Sequence, residues 1–124
     1  MKQLSFGVDI ESVSRVELAV SRSGERFLNR IFSGPELDRS GDMVFLTTRF
    51  AAKEAFFKAL GTGVTGGVRW HDFILPEPAD GVFAPQISGR CKEILGGGRV
   101  HVSVSGTDME AVAVVIIEDS EDSR

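Results

Sequence analysis

Cysteine is all but missing from this chain. Cys91 is the only one, so no internal disulfide can form and no thiolate metal cluster is available. A reducing cytosol suits that usage, and nothing around Cys91 marks it as a reactive thiol. Histidine is scarce as well: His71 and His101 stand in no metal-ligand spacing, which removes the usual donors of a zinc site. There is no nucleophile elbow. No apolar run is long enough to span a membrane, and the opening Met-Lys-Gln-Leu-Ser-Phe has no signal-peptide core. A cytoplasmic protein with no membrane partner is therefore expected. A surplus of positive charge is also lacking. The formal net charge of −4 argues against a generic nucleic-acid binder, local basic patches aside. These absences leave oxygen chemistry, carried by carboxylates with lysines and arginines beside them.

At 124 residues, 42% hydrophobic and 26% charged, the composition is that of one globular domain with a real core. The domain is expected over 1–118 and a polar, frayed tail over 119–124. Residues 3–10 alternate, with Leu4, Phe6, Val8 and Ile10 on one side and Ser5, Gly7 and Asp9 on the other. This predicts a half-buried strand with Asp9 near its end, opposite the apolar face. Aspartate is a poor strand residue, so a cap or turn competes there with a functional reason. Ser14 and Glu17 have capping-box spacing, which predicts a helix running to about Ser21 before Ser23-Gly24 breaks it. Residues 26–32 read either as a helical turn or as an extended segment. Ser33-Gly-Pro-Glu36 starts a short helix that Ser40-Gly41 ends. Residues 68–75 read as a strand, 76–85 as a turn-rich link around Asp80-Gly81, and 86–95 as a short strand followed by a helix. Val100, Val102 and Val104 alternate with His101, Ser103 and Ser105. With the apolar run over 111–118, typical of a buried central strand, they predict a β-hairpin.

The strongest signal is RFAAKEAFFKALGTG at 49–63. Residues 48–60 contain no Gly or Pro, and Gly61 is a natural C-terminal stop. Helical periodicity puts Ala51, Ala52, Ala55 and Ala59 on a small-residue face that lets another backbone approach closely. Phe50 and Phe57 form an aromatic ridge. Glu54 and Lys58 lie one turn apart, with Arg49 and Lys53 beyond the ridge. An acid and three bases beside aromatic rings suit a metal-assisted phosphate site. The same spacing also suits a plain exposed ion pair, worth roughly 0.2–0.5 kcal/mol. The glycine-rich run 61–67 lacks the Lys-Ser/Thr of a P-loop and follows a helix, so its glycines read as a tight turn and a close backbone approach. Asp9 and Glu54 could jointly hold Mg²⁺, with Lys58, Arg49 and Lys53 neutralising phosphates, although composition does not show that they meet. Arg15, Arg22, Arg26, Arg30 and Arg39 make either a solvated face or a docking patch for an acidic partner.

Gly7-Val-Asp9-Ile, the 49–63 motif and His101-Val-Ser-Val-Ser105 resemble, in order and spacing, the holo-(acyl-carrier-protein) synthases, the short trimeric class of phosphopantetheinyl transferases. Phe27, Arg30-Ile-Phe and Glu36-Leu add to the resemblance, which covers nearly the whole chain. It implies an α+β fold, with an antiparallel sheet packed against the long 48–60 helix. It also implies a homotrimer with active sites at subunit interfaces. The implied enzyme moves the 4′-phosphopantetheine arm of coenzyme A onto a serine of an apo acyl carrier protein. It would release adenosine 3′,5′-bisphosphate, with Mg²⁺ as cofactor, and serve fatty-acid or polyketide synthesis. By matching positions, Asp9 and Glu54 would hold Mg²⁺, and Lys58 would contact the pyrophosphate and complete the catalytic set. Arg49, Lys53 and Ser105 would lie along the coenzyme A site, which Gly61, Thr62 and Gly63 would approach at a subunit boundary. Arg15, Arg26 and Arg30 would meet the acidic recognition helix of the carrier protein. The chain departs from the family in two places. Gly106 stands where the family has His after Ser105, and residues 82–84 lengthen a turn that carries lysine in the family. The first departure supports an alternative, a catalytically weak homologue that binds carrier protein or coenzyme A. It also predicts that Gly106→His leaves activity unchanged or improves it.

Overall fold

A computed structural model describes residues 3–119. The remainder of the expected tail, 120–124, lies outside the described residues. Asp119 does not fray: its N–H donates to the Gln3 carbonyl at 3.0 Å.

The chain is built around one helix, α3, Met43–Leu60, which starts well before the predicted residue 48. Asp42 explains the earlier start. It is the N-cap, and its Oδ1 accepts the Phe45 N–H at 3.0 Å. At the other end Gly61 adopts φ 85°, a left-handed conformation that caps the helix at little cost only for glycine. Ala51, Ala52, Ala55, Phe56 and Phe57 are all buried, so α3 is wrapped rather than amphipathic.

The sheet beneath it has strand order β1 (Leu4–Ser12), β5 (Glu110–Glu118), β4 (Arg99–Gly106), antiparallel throughout. The predicted hairpin and its central strand are both present. Two elements beside β1, α1 (Val13–Ser23) and α2 (Glu25–Ile31), resolve residues 26–32 in favour of helix. The N-cap of α1 is Ser12, whose Oγ accepts the Arg15 N–H, whereas Ser14 Oγ only pairs with Ser12 Oγ at 2.9 Å. A 3₁₀ helix, Gly34–Arg39, follows. Residues 68–75 are not the single strand expected. A 3₁₀ turn, Trp70–Asp72, is closed by the Asp72 carboxylate accepting the Arg69 N–H, and only β2, Phe73–Ile74, is extended. It pairs with β3 (Gln86–Ile87), and α4 (Gly89–Leu95) follows as expected.

The face that β1 buries is the reverse of the one its apolar alternation suggests. Leu4, Phe6, Val8 and Ile10 are 51–63% exposed in the chain, while Gly7 and Asp9 lie under α3. Close packing is the reason. A Cβ at Gly7 would collide with the Ala55 carbonyl and lie 2.8 Å from the Ala59 N. Helix and strand backbones touch there, and only the Ser5–Gly7–Asp9 side is thin enough to allow it. β5 follows the same division, burying Ala111, Ala113, Val115 and Ile117 and turning Val112 outward.

Candidate active site

The contact of Gly7 with Ala55 delivers the next inward residue of β1, Asp9, to the exposed end of α3. There Lys58 Nζ donates to Asp9 Oδ1 at 2.9 Å and to the Val8 carbonyl at 3.0 Å. Glu54 stands one helical turn before Lys58, and the two carboxylates predicted from distant parts of the sequence are near enough to repel each other. Asp9 is 8% exposed, and its second oxygen, Oδ2, is buried without a hydrogen-bond partner. Only a protonated Glu11 carboxyl can donate to Asp9 besides Lys58, so with Glu11 ionised this buried oxygen is left without a donor, which is costly in water-free surroundings and suits a cation. Burial, followed by repulsion from Asp9, raises the Glu54 carboxyl above its ordinary value, with Lys58 opposing. The hydrogen bond to Asp9 raises Lys58, keeping it cationic.

A third carboxylate, Glu11, was missed by the sequence reading. It follows Asp9 on the inward side of β1, opposite Ala111, and shares a cavity of about 330 Å³ with Glu54. Its pKa is pushed up to about 8, chiefly by burial, and further by a hydrogen bond and repulsion from Asp9 and by repulsion from Glu54. The signal available in the sequence was the period of two that puts Glu11 on the face of Asp9. Among the described residues, no group of three or more His, Cys, Asp or Glu is already assembled to hold a metal.

The other wall of that cavity carries Arg15, Phe27 and Phe50. A neighbouring cavity of about 230 Å³ is lined by Arg26, Arg30, Phe27, Phe50 and Trp70. The three predicted docking arginines therefore line connected ground, with the two phenylalanines between the carboxylates and Arg26 and Arg30.

Arg49 and Lys53 require correction. They were expected along a ligand site, but they are 4% and 0% exposed. Arg49 donates to the Leu75 carbonyl at 3.0 Å, the Pro76 carbonyl at 3.1 Å and Thr48 Oγ1 at 3.2 Å. Lys53 pairs with buried Glu36 at 3.0 Å and donates to the Trp70 and Phe73 carbonyls. Helical periodicity placed them beyond the aromatic ridge correctly. That side of α3 is covered by residues 70–77, which a helical wheel does not show.

Gly61 and Gly63 have φ of 85° and 61°, with nothing within 4 Å of a Cβ at either, so their requirement is conformational and the space beside them is open. Thr62 is half-buried between them, and its Oγ1 donates to the Gly63 carbonyl at 2.8 Å. Ser105 points to the outward face of the sheet, where it lines a cavity of about 260 Å³ with Ile10 and Val112. That cavity is a different one from the cavity that Glu54 lines. Gly106 points inward, and a Cβ there would lie 3.0 Å from both Val44 Cγ1 and Thr48 Cγ2.

The model of the 4′-phosphopantetheinyl transferase superfamily matches residues 5–115. Two relatives, the holo-(acyl-carrier-protein) synthases of Koribacter versatilis and Vibrio parahaemolyticus, are 42% and 40% identical. The first alignment covers 94% of this chain and 98% of the relative, the second 95% and 99%. The chain belongs to the holo-(acyl-carrier-protein) synthase family. Solved holo-(acyl-carrier-protein) synthases share the fold. The Neisseria meningitidis structure has TM-score 0.81 and 32% identity, covering 93% of this chain and 98% of its own. The Helicobacter pylori synthase, solved in complex with coenzyme A, has TM-score 0.80 and 27% identity, covering 90% and 98%. Within this synthase fold, Asp9, Glu11, Glu54 and Lys58 gather where β1 meets the C-terminal half of α3. No helix among the described residues is long and apolar enough to cross a membrane.

Proposed function

We propose that the protein is a Mg²⁺-dependent holo-(acyl-carrier-protein) synthase of the cytoplasm. In this reading it transfers 4′-phosphopantetheine from coenzyme A to a serine hydroxyl of an apo acyl carrier protein. The observation that carries the reading is the buried, unpartnered Asp9 Oδ2 beside Glu54 and Lys58, in a chain of this family. Asp9 and Glu54 are the residues to hold Mg²⁺, which when bound neutralises charge on the pyrophosphate of coenzyme A. Lys58, kept charged by Asp9, reaches toward the same phosphates from the exposed end of α3. The serine oxygen forms a bond to the phosphorus that carries the pantetheine arm. The bond from that phosphorus to the bridging oxygen breaks, and adenosine 3′,5′-bisphosphate leaves with it. Glu54 is also placed to take the serine proton, directly or through a water molecule, beside Asp9 and Lys58. Arg15, Arg26 and Arg30 suit an acidic carrier protein, because positive side chains flanking the site align an anionic partner. Arg49 and Lys53 serve this site indirectly, as buried supports of α3.

The outward face supports the trimer. Phe6, Val8 and Ile10 are each more than half exposed, and β5 adds Val112 beside them, an apolar strip that a second copy would cover. Such a copy would bring Ser105, which lines a cavity with Ile10 and Val112, to a subunit boundary. The weak-homologue reading keeps one supporting observation. A Cβ at 106 would lie 3.0 Å from Val44 Cγ1 and Thr48 Cγ2, so the usual histidine would need both side chains to give way.

Intact-mass spectrometry of apo acyl carrier proteins incubated with the protein, coenzyme A and Mg²⁺ tests the reading. A gain of one phosphopantetheine that a chelator abolishes is the expected result. No gain on any carrier, alongside measurable coenzyme A or carrier binding, favours the weak homologue.

A further inference from the structure

We propose that His71 is a positioning residue for carrier-protein docking, latching α2 and its arginines to the turn that precedes β2. The proposal rests on the docking reading above and extends it to a residue outside the docking arginines.

An α-helix leaves its last carbonyls without partners inside the helix. For the Asn29 carbonyl of α2 the regular donor would be the Ser33 N–H, one turn on, but that N–H goes to Glu36 Oε1 at 3.2 Å. His71 Nε2 takes its place, 2.8 Å from the Asn29 oxygen. A carbonyl only accepts, so His71 carries its hydrogen on Nε2 and donates it. Helix α2 needs such a tie. It has seven residues, too few for a helix to stand alone, and no side chain caps its start at Gly24.

The other end of the tie is firmly held. In the turn Trp70–Asp72 the Asp72 carboxylate accepts the Arg69 N–H at 3.1 Å, and the Asp72 N–H donates to the Arg69 carbonyl at 3.0 Å. The Asp72 carbonyl accepts the Ser88 N–H at 2.9 Å. Buried Lys53 adds a hydrogen bond from α3 to the Trp70 carbonyl at 3.3 Å. His71 thus reaches from a turn fastened to α3 toward a short helix with no cap of its own.

The residues that α2 carries give the latch its purpose. Arg26, Phe27 and Arg30 line one cavity with Phe50 and Trp70. Arg30 and Trp70 also line the next cavity, of about 420 Å³, together with Arg69 and His71 itself. The hydrogen bond therefore joins the two walls whose spacing fixes where these arginines meet an anionic partner. Without it α2 can turn about Gly24, and ordering the docking charges would be left to the moment of binding.

The full chain would be compared with His71→Ala and His71→Gln, in phosphopantetheine transfer and in backbone hydrogen exchange. Glutamine is the conservative variant, because its amide nitrogen can donate to the same carbonyl. His71→Ala should raise the KM for an apo acyl carrier protein about fivefold, the worth of one hydrogen bond, with kcat and the KM for coenzyme A nearly unchanged. His71→Gln should recover most of that loss. In the free protein, amides of α2 should exchange faster in His71→Ala while those of α3 stay protected. An unchanged carrier KM would overturn the positioning role, as would an equal loss in kcat or in coenzyme A binding. A glutamine variant no better than alanine would also overturn it. Should the wild type transfer to no carrier, the transferase reading falls and exchange alone decides the latch. Equal α2 exchange in wild type and His71→Ala would then overturn it.

Discussion

Helix α3 carries two lysine–carboxylate pairs, and they have opposite characters. Lys53 and Glu36 are fully buried, and every polar atom of the pair has protein partners: the Leu75 N–H on one Glu36 oxygen, the Ser33 N–H on the other, and two carbonyls on Lys53. Desolvation lowers the Lys53 pKa, with Glu36 opposing that shift. Lys58 and Asp9 stand at the open end of the same helix, with the Lys58 side chain 53% exposed and one Asp9 oxygen left without a donor. The first pair is complete and fastens residues 33–36 and 70–75 to the helix. The second is incomplete, and that incompleteness marks a site for ligands. Within a few residues of one helix, saturation of hydrogen bonds separates structural charge from functional charge better than residue type does.

Breaking the buried pair should have the largest effect. Lys53→Met leaves Glu36 charged and unpaired, which should cost about 3–5 kcal/mol of stability. Thermal or urea unfolding measures that cost, and a loss below about 1 kcal/mol would mean the pair is not what fastens α3. Replacing both partners by apolar residues should recover most of it. Lys58→Ala and Asp9→Asn should do the opposite. Stability should change by less than about 1 kcal/mol while phosphopantetheine transfer falls by about a hundredfold or more. A melting point lowered as far as in Lys53→Met would erase the contrast between the pairs.

Gly106→His tests how tightly the N-terminal half of α3 is seated. The sequence suggested a neutral or improving exchange. That expectation concerns activity; for stability, with Val44 and Thr48 at 3.0 Å from a Cβ, overpacking should cost about 1–3 kcal/mol. An unchanged melting point would show that the helix shifts to admit the ring. Arg26→Glu should leave the fold intact, raise the KM for an acidic carrier protein and make the remaining rate less sensitive to salt. An effect confined to coenzyme A binding would remove Arg26 from carrier docking.

The smallest effect concerns pH. The Glu11 pKa is raised from 4.5 to about 8 in the folded chain, so between those values the native state binds more protons than the unfolded one, and the raised Glu54 acts in the same direction. The Glu11 contribution to stability is therefore present at low pH and fades as pH rises through about 8. Melting curves in chelator should fall gently over that window, and the slope should flatten in Glu11→Gln. A slope of the opposite sign would mean these carboxylates stay ionised throughout.

Much of the site was legible because the chemistry sits in local patterns. Glycine-free helix formers bounded by Gly61 announced α3, period two announced β1 and β4, and the motif carried Asp9, Glu54 and Lys58. Three things were not legible. Arg49 and Lys53 look like ligand-site bases until residues 70–77 fold over them. Glu11 has no motif of its own and became visible only when β1 was laid against Glu54. The seat of Gly106 depends on Val44 and Thr48, which are distant in sequence.

By itself the sequence determined the family, the α+β class and the long helix, and it supplied the acid–base residues proposed here, because each rests on short-range periodicity or on a specific motif. Only the tertiary structure decided which face of β1 is covered. An alternating strand states that its two sides differ, and the apolar side is the natural one to bury. Here backbone contact between Gly7 and Ala55 outweighs that preference, turning Leu4, Phe6, Val8 and Ile10 outward and drawing Asp9 under the helix. Long-range packing of that kind is written in pairs of residues far apart in the chain, and only the folded molecule brings them together.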